Sequence, residues 1–417
     1  MQNSIPLLFV HFGDDWIRGS EVCALNLLNN LDSRFLPVLW TNNSAMASAA
    51  RRAGIAVEFE RFDIAVSFDS SRRRFNLLAW AKQRRRAIQL IKHYQIQLIH
   101  INSGAPCQWV LGAARQCNIP SLTHLHSPYN LHDRITLGLH VAPYIVCVSH
   151  AVSHALLNEG YPKQQLSVVH NGVPESLDTD QNVFSVKQYL GIKQNENVVV
   201  SVGSLIHRKG FDRVISAIEC LHRQQTHCHL VIIGDGPEKT ALKAQAATLG
   251  LEHYLHFVGE QPDVAKWLCS DVDVMVSGAR SEAFGLVLVE AALARLPVIA
   301  PNVGGIGEVV DHLKTGILYV SNLNTPPLLA QHIAHLLSDS VLARRLAYNA
   351  YRKAKTQFTV AANQQSMEQL YQKQLEQNPT QAHSRLRALL RPVPSIIAHI
   401  KRRWLSISSS ATQGSTL

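Results

Sequence analysis

Cysteine is sparse in this chain, with seven in 417 residues, an odd number that forms no C-x-x-C pair. That excludes a disulfide framework and a zinc ribbon, and suits free thiols in a reducing compartment. No apolar run reaches the roughly 18 residues that a spanning helix needs. The start, MQNSIPLLFVHFGDD, has no basic leader and too short an apolar run for a signal peptide. Together these absences point to the cytoplasm. Metal chemistry has no foothold either. The 21 histidines show no ligand spacing backed by Cys or acidic partners; Asp271 and Asp273 fall at the start of a buried strand, and Asp14-Asp15 lacks the D-x-D spacing. A G-x-G-x-x-G turn after an early strand is missing from HFGDDWIRGS, which disfavours a dinucleotide oxidoreductase. There is no internal repeat.

What is present is two series of short apolar segments separated by amphipathic stretches. PLLFVHF, PVLWT, IQLIHIN, PSLTHLH and YIVCVS come first; VVVSVGS, HLVIIGD, YLHFVG, VDVMVS and PVIAP follow. Continuous apolar runs of this length, alternating with helical stretches such as 20 to 31, 209 to 224 and 238 to 249, read as buried parallel strands. The expected fold is α/β: two Rossmann-like, doubly wound parallel-sheet domains facing a cleft, with ligands at the carboxyl ends of the strands. The length also exceeds what one core usually organises. Asn171-Gly172 ends the first series, and a polar linker runs to about residue 182. The expected division is residues 1–177, residues 178–357, a helix over 358–376 returning to the first domain, and a basic tail over 377–417.

In the second series the strands end in loops suited to a phosphorylated ligand. The segment VVVSVGSLIHRKGFDRVI supplies a turn at Gly203 and Ser204, then Arg208, Lys209 and Gly210 opening a helix, where backbone N–H groups and cations converge on an anion. LVIIGDGPE and VGGIGE are further glycine-rich turns. SEAFGLVLVE places Glu282 and Glu290 eight residues apart around Phe284, Gly285 and Leu286. A bland reading is a helix cap and an outward-facing glutamate. If the stretch is helical, both carboxylates rotate to nearly one side about 12 Å apart. One then suits the hydroxyls of a sugar and the other a ribose, with a diphosphate between them at the helix N-terminus. That describes a nucleotide sugar.

The ordered series GSLIHRKGFDRVI, IIGDGPE, FVGE, DVDVMVSGARSEAFGLVLVEAAL, PVIAPNVGGIGEVV and TGILY resembles the donor domain of family-4 retaining glycosyltransferases (glycosyl transferases group 1) of the GT-B fold. RGSEVCALNLLNNL, THLHSPY, VSHAV and VVHNGV add weaker echoes in the first half. The resemblance implies that Glu282 lies at the transferred sugar, Glu290 holds the ribose, and the backbone of Phe284, Gly285 and Leu286 contacts sugar and diphosphate. It implies diphosphate binding by Lys209 and a first-domain histidine at the reacting sugar, His126, with His124 as the alternative. It also implies no bound metal or cofactor, UDP as the commonest carrier, and retention by front-face displacement. The chain departs from the family pattern at three places. Ser204 stands where an arginine is usual, leaving Arg208 to substitute; Arg295 replaces a glycine; and Ser20 follows Gly19 where a second glycine is usual in the acceptor or phosphate loop. A sugar-nucleotide epimerase of the same fold, or a non-catalytic anion or nucleic-acid binder, is the alternative, though no aromatic stacking platform supports nucleic acid.

Charge is distributed unevenly. Residues 1–170 hold 16 Lys+Arg against 10 Asp+Glu, residues 171–373 hold 18 against 19, and residues 374–417 hold 6 against 1. Two stretches combine basic and apolar residues: RRRFNLLAWAKQRRRAIQLIKHY at 72–94 and SRLRALLRPVPSIIAHIKRRWLSIS at 384–408. Such helices suit an anionic bilayer, with Trp80 and Trp404 at its interface. The expectation is a peripheral enzyme at the inner face of the cytoplasmic membrane, with a lipid-linked or membrane-proximal sugar acceptor.

Overall fold

The computed structural model describes residues 4–69, 72–175, 184–322 and 324–376, together with Val393 and Ile397. Most of the expected linker, and the basic tail apart from those two residues, lie outside the described residues. The chain forms two compact units, one of residues 170–363 and one of Met1–Val169 with the residues from Gln364 onward. The sequence reading placed these divisions after 177 and 357.

The first unit contains β1 (Ile5–His11), β2 (Phe35–Thr41), β3 (Ala56–Phe59), β4 (Val66–Asp69), β5 (Arg72–Phe75), β6 (Leu98–Asn102), β7 (Ser121–Leu125), β8 (Ile145–Cys147) and β9 (Leu166–Val168). Seven strands make a sheet in the order β3-β2-β1-β6-β7-β8-β9, and every pairing in it is parallel. The strand order reverses beside β1, so the crevice between β1 and β6 is the switch point where ligands usually sit. Leu7, Phe9, Leu98 and Leu122 are fully buried in the core. Met367 and Tyr371, from the helix Val360–Glu376, complete that core.

The second unit repeats the scheme with β10 (Asn197–Val202), β11 (Cys228–Ile233), β12 (Leu255–Gly259), β13 (Val274–Val276), β14 (Val298–Pro301) and β15 (Ile317–Tyr319). Their order is β12-β11-β10-β13-β14-β15, which puts the switch point between β10 and β13. The helix Phe211–Arg223 shows why these stretches are helical: Phe211, Val214, Ile215, Ile218 and Leu221 recur at helical spacing and are all buried. Each such side chain contributes about 1.5–3 kcal/mol by leaving water.

All ten apolar segments form strands. β3, β9, β15 and the β4–β5 hairpin were not expected, because three or four residues carry little periodic signal. The hairpin corrects the reading of residues 72–94. β4 and β5 pair antiparallel, and Asn76 caps the helix Leu77–His93 by accepting from the Ala79 N–H. The first arginine triplet is therefore in a strand. Trp80 is not free for an interface: its indole N–H donates to the Gln108 carbonyl at 2.6 Å. Among the described residues no helix is long and apolar enough to cross a membrane.

Candidate functional site

The carboxyl edge of the second sheet is assembled from two loops locked to each other. β10 runs through Gly203 and Ser204 into the single 3-10 turn His207–Lys209, and Gly210 then opens the next helix. β13 runs into residues 277–285, and Gly285 opens the helix Leu286–Leu293. The Arg280 N–H donates to the Arg208 carbonyl at 2.8 Å. Its guanidinium grips Asp212 with two bonds of 2.8 and 2.6 Å and also reaches the His207 carbonyl. Burial works against the Asp212 charge, but this pairing holds its carboxyl below the usual range. Gly210 and Gly278 meet backbone to backbone: a Cβ on Gly210 would stand 1.9 Å from the Gly278 carbonyl oxygen. Arg280 and Asp212 were missed by sequence reasoning, since nothing in SGARSE separates a clamp from a ligand contact.

Within that frame the Lys209 ammonium is ion-paired with Glu282. Arg208 donates to the Ser281 carbonyl at 2.9 Å and lies 3.7 Å from Glu282 Oε1. Glu290 is half-buried; burial pushes its carboxyl up to about 7, against the opposing pull of Lys209. Lys209 thus acts on both glutamates. The expected reason for their convergence needs correcting, because Glu282 is not helical: the helix begins only at Leu286. What brings the pair together is the loop conformation, set by Gly285 at φ +102°. The Gly305 N–H donates to the Glu282 carbonyl at 3.0 Å. The glycines of VGGIGE are required there because a Cβ on Gly304 would stand 1.8 Å from that same oxygen. The Phe284 ring is buried against His170 and Phe358, so only its backbone is on offer to a ligand. The first amides of the helix, Leu286 and Val287, have no acceptor among the described residues, the arrangement that receives an anion. Asp271 and Asp273 serve the chain itself: Asp271 accepts from Ser185 and Asp273 from the Val198 N–H.

The carboxyl edge of the first sheet is built from histidines. His11 ends β1, Asn102 ends β6 directly opposite it, and His126 follows the last residue of β7. Glu21 stands in the first turn of the helix Gly19–Asn30. The four form a chain. Glu21 Oε1 lies 3.3 Å from His11 Nε2, His11 Nδ1 lies 3.0 Å from Asn102 Nδ2, and Asn102 Oδ1 lies 2.8 Å from His126 Nε2. Ser20 and the Arg18 N–H both donate to Glu21, so the Ser20 hydroxyl is engaged within the chain, one residue past Gly19. Burial opposes the Glu21 charge, yet His11 and the backbone amides hold its carboxyl down to about 2. Burial first, then His124 and His11, hold His126 well below the usual histidine range. His124 lies inside the sheet, and neither ring nitrogen has a hydrogen-bond partner among the described residues, so His126, not the alternative His124, is the residue at the strand edge. Glu21, His11 and Asn102 were missed as site residues, although His11 and Asn102 are polar endings of otherwise apolar strands.

The sequence model of the family described as Glycosyl transferases group 1 matches residues 184–353, and that of Glycosyltransferase Family 4 matches residues 17–177. The N-acetyl-alpha-D-glucosaminyl L-malate synthase of Bacillus anthracis is 29% identical over 57% of this chain and 61% of its own. The lipopolysaccharide glucosyltransferase WaaG of Escherichia coli is 30% identical over 44% of this chain and 48% of its own. The chain therefore spans between about half and two thirds of the length of these curated relatives. The crystal structure of Anabaena HepE in complex with UDP and glucose superposes with a TM-score of 0.74 at 23% identity, covering 88% of this chain and 100% of that one. With residues 17–177 and 184–353 matched in turn by the two models and the architecture shared over 88% of the chain, the chain belongs to the group 1 glycosyltransferases and has the GT-B fold.

Proposed function

We propose that this protein transfers a sugar from a nucleoside diphosphate sugar, a UDP-sugar first of all, to a hydroxyl of a lipid-linked or membrane-proximal acceptor in surface polysaccharide or glycolipid assembly. The observation that carries the reading is the Lys209–Glu282 pair beside the open amides of Leu286 and Val287. An ammonium and a helix N-terminus suit the diphosphate, and a carboxylate suits sugar hydroxyls. Lys209, helped by Arg208 and the loop of Gly203 and Ser204, neutralises the charge that develops on the departing diphosphate, with no metal required. Glu290 accepts from the ribose hydroxyls. Retention of the anomeric configuration is what the family resemblance implies, and because Glu282 holds hydroxyls and forms no bond to the sugar, front-face displacement is favoured over a covalent glycosyl-enzyme intermediate. His126 meets the reacting sugar.

The first unit receives the acceptor. A hollow of about 1100 Å³ at its carboxyl edge is lined by Phe12, Trp40, Arg61, Phe62, Lys82 and Gln83, among others, a mixture of aromatic faces and polar groups suited to sugar rings. On its rim Phe75, Leu77 and Leu78 are exposed by 68, 56 and 85%, with Lys82 and Arg85 exposed nearby. That combination supports peripheral binding to an anionic membrane from the cytoplasmic side.

A thermal-shift panel of nucleoside diphosphates and their sugars, with and without chelator, tests the reading. A ligand at a hundred times its dissociation constant adds about 2.7 kcal/mol of stability. UDP and a UDP-sugar should raise the melting temperature equally with EDTA. No shift with any nucleotide, or a shift only with a divalent cation, would refute the donor site described above.

A further inference from the structure

At the switch point of the first sheet a carboxylate, two imidazoles and an amide are strung end to end across β1, β6 and β7, and the Asn102 amide sets the order of protons: its Nδ2 faces His11 Nδ1 at 3.0 Å and its Oδ1 faces His126 Nε2 at 2.8 Å. Glu21, held ionised, only accepts. His11 Nδ1 faces the Asn102 NH₂ as a bare lone pair, which puts the His11 proton on Nε2, 3.3 Å from Glu21 Oε1 though outside hydrogen-bond geometry. Asn102 then turns its NH₂ to His11 and its oxygen to His126. An amide oxygen only accepts, so His126 Nε2 carries a proton too. Nothing is left to protonate His126 Nδ1, which is enclosed and has no hydrogen-bond partner among the described residues.

We infer that Glu21, His11 and Asn102 are positioning residues that lock His126 as its Nε2–H tautomer, so that the ring offers Nδ1 only as an acceptor. Its consequence for catalysis rests on the reading of His126 given above: the imidazole beside the reacting sugar is held by Asn102 in one orientation and carries no N–H at Nδ1. Room for the chain is tight. A Cβ on Gly13 would stand 2.8 Å from His11 Nε2 and 3.3 Å from Glu21 Oε1, and the Gly13 N–H is held by Asn42 at 3.0 Å. Gly13 is therefore the residue that lets Glu21 approach His11.

Nitrogen-15 NMR of the full chain labelled at histidine tests this at about pH 8, where an unperturbed imidazole is neutral. The His126 and His11 signals are assigned by their loss in His126→Gln and His11→Gln. Wild-type His126 and His11 should both show a protonated Nε2 and a bare Nδ1. In Glu21→Gln an amide can donate as well as accept, so the constraint is released and His126 should show a share of the Nδ1–H form. Asn102→Asp keeps an acceptor toward His126 but sets His11 between two carboxylates. His126 should then keep its tautomer while His11 takes a second proton. Asn102→Asp also covers the case in which Glu21→Gln fails to fold. A wild-type His126 protonated at Nδ1, or a His126 signal unchanged in Glu21→Gln, would overturn the inference. Transfer assays separate it from the functional reading. Asn102→Ala should lower kcat roughly 10- to 100-fold, the worth of one hydrogen bond to a reacting group, with the affinity for nucleoside diphosphate unchanged. If the tautomers are as stated but His126→Ala transfers at the wild-type rate, the chain stands and the role given to His126 falls.

Discussion

The two sheets share one winding scheme, yet their carboxyl edges hold opposite kinds of chemistry. In the first unit the edge holds the imidazoles of His11 and His126 and the Asn102 amide beside one carboxylate, and burial keeps His126 well below the usual histidine range. The second gathers formal charges, with Lys209 and Arg208 around Glu282 and with Glu290 nearby. An edge of imidazoles and an amide suits hydroxyls and proton placement, whereas an edge lined with cations suits a substrate that sheds a dianion. The topology decides where the site is, and the residues closing each strand decide what it does.

The sharpest way to break the comparison is at the charged edge. Glu282→Ala should abolish transfer in a radiolabelled-sugar assay while leaving nucleoside-diphosphate affinity within a few fold. Near-wild-type turnover would remove Glu282 from the sugar. Lys209→Ala should cost roughly 10² to 10³ in kcat, the usual loss when one preorganised charge-stabilising group is removed, and EDTA should change neither protein.

A smaller effect separates binding from stability. Glu290 has its carboxyl raised from 4.5 to about 7, so the folded state binds a proton more tightly than the unfolded chain between those values. Stability therefore falls as pH rises through that window, by an amount on the order of 3 kcal/mol at 1.36 kcal/mol per unit. Glu290→Gln removes that cost. The variant should melt above wild type near pH 8, match it near pH 5, and bind nucleoside diphosphate more weakly. Equal melting at both pH values would show that the carboxyl is better solvated than the structure indicates.

The smallest expected effect is at the rim of the first unit. Replacing Phe75, Leu77 and Leu78 with serine should reduce co-sedimentation with anionic vesicles several-fold and leave nucleotide binding alone. Binding equal on neutral and anionic vesicles, or absent from both, would favour a soluble acceptor.

The linear chain alone determined the secondary-structure class, the two-series organisation and the glycine-rich loops at the strand ends, because these depend on local composition: apolar runs of strand length, helical spacing in Phe211–Arg223, and glycines and cations just past strand ends. Its periodicity could not reveal β9 or the β4–β5 hairpin, whose few residues are strands only because a neighbour supplies the hydrogen bonds. Nor could it show that Glu282 precedes the helix, since that start depends on the backbone of Gly285. Tertiary structure alone decided the long-range pairings. Arg280 and Asp212 are 68 positions apart, and Asn102 is 91 from His11. The sheet brings such residues into register at its edge, and there burial turns a histidine and a glutamate that look ordinary in the sequence into groups with shifted protonation.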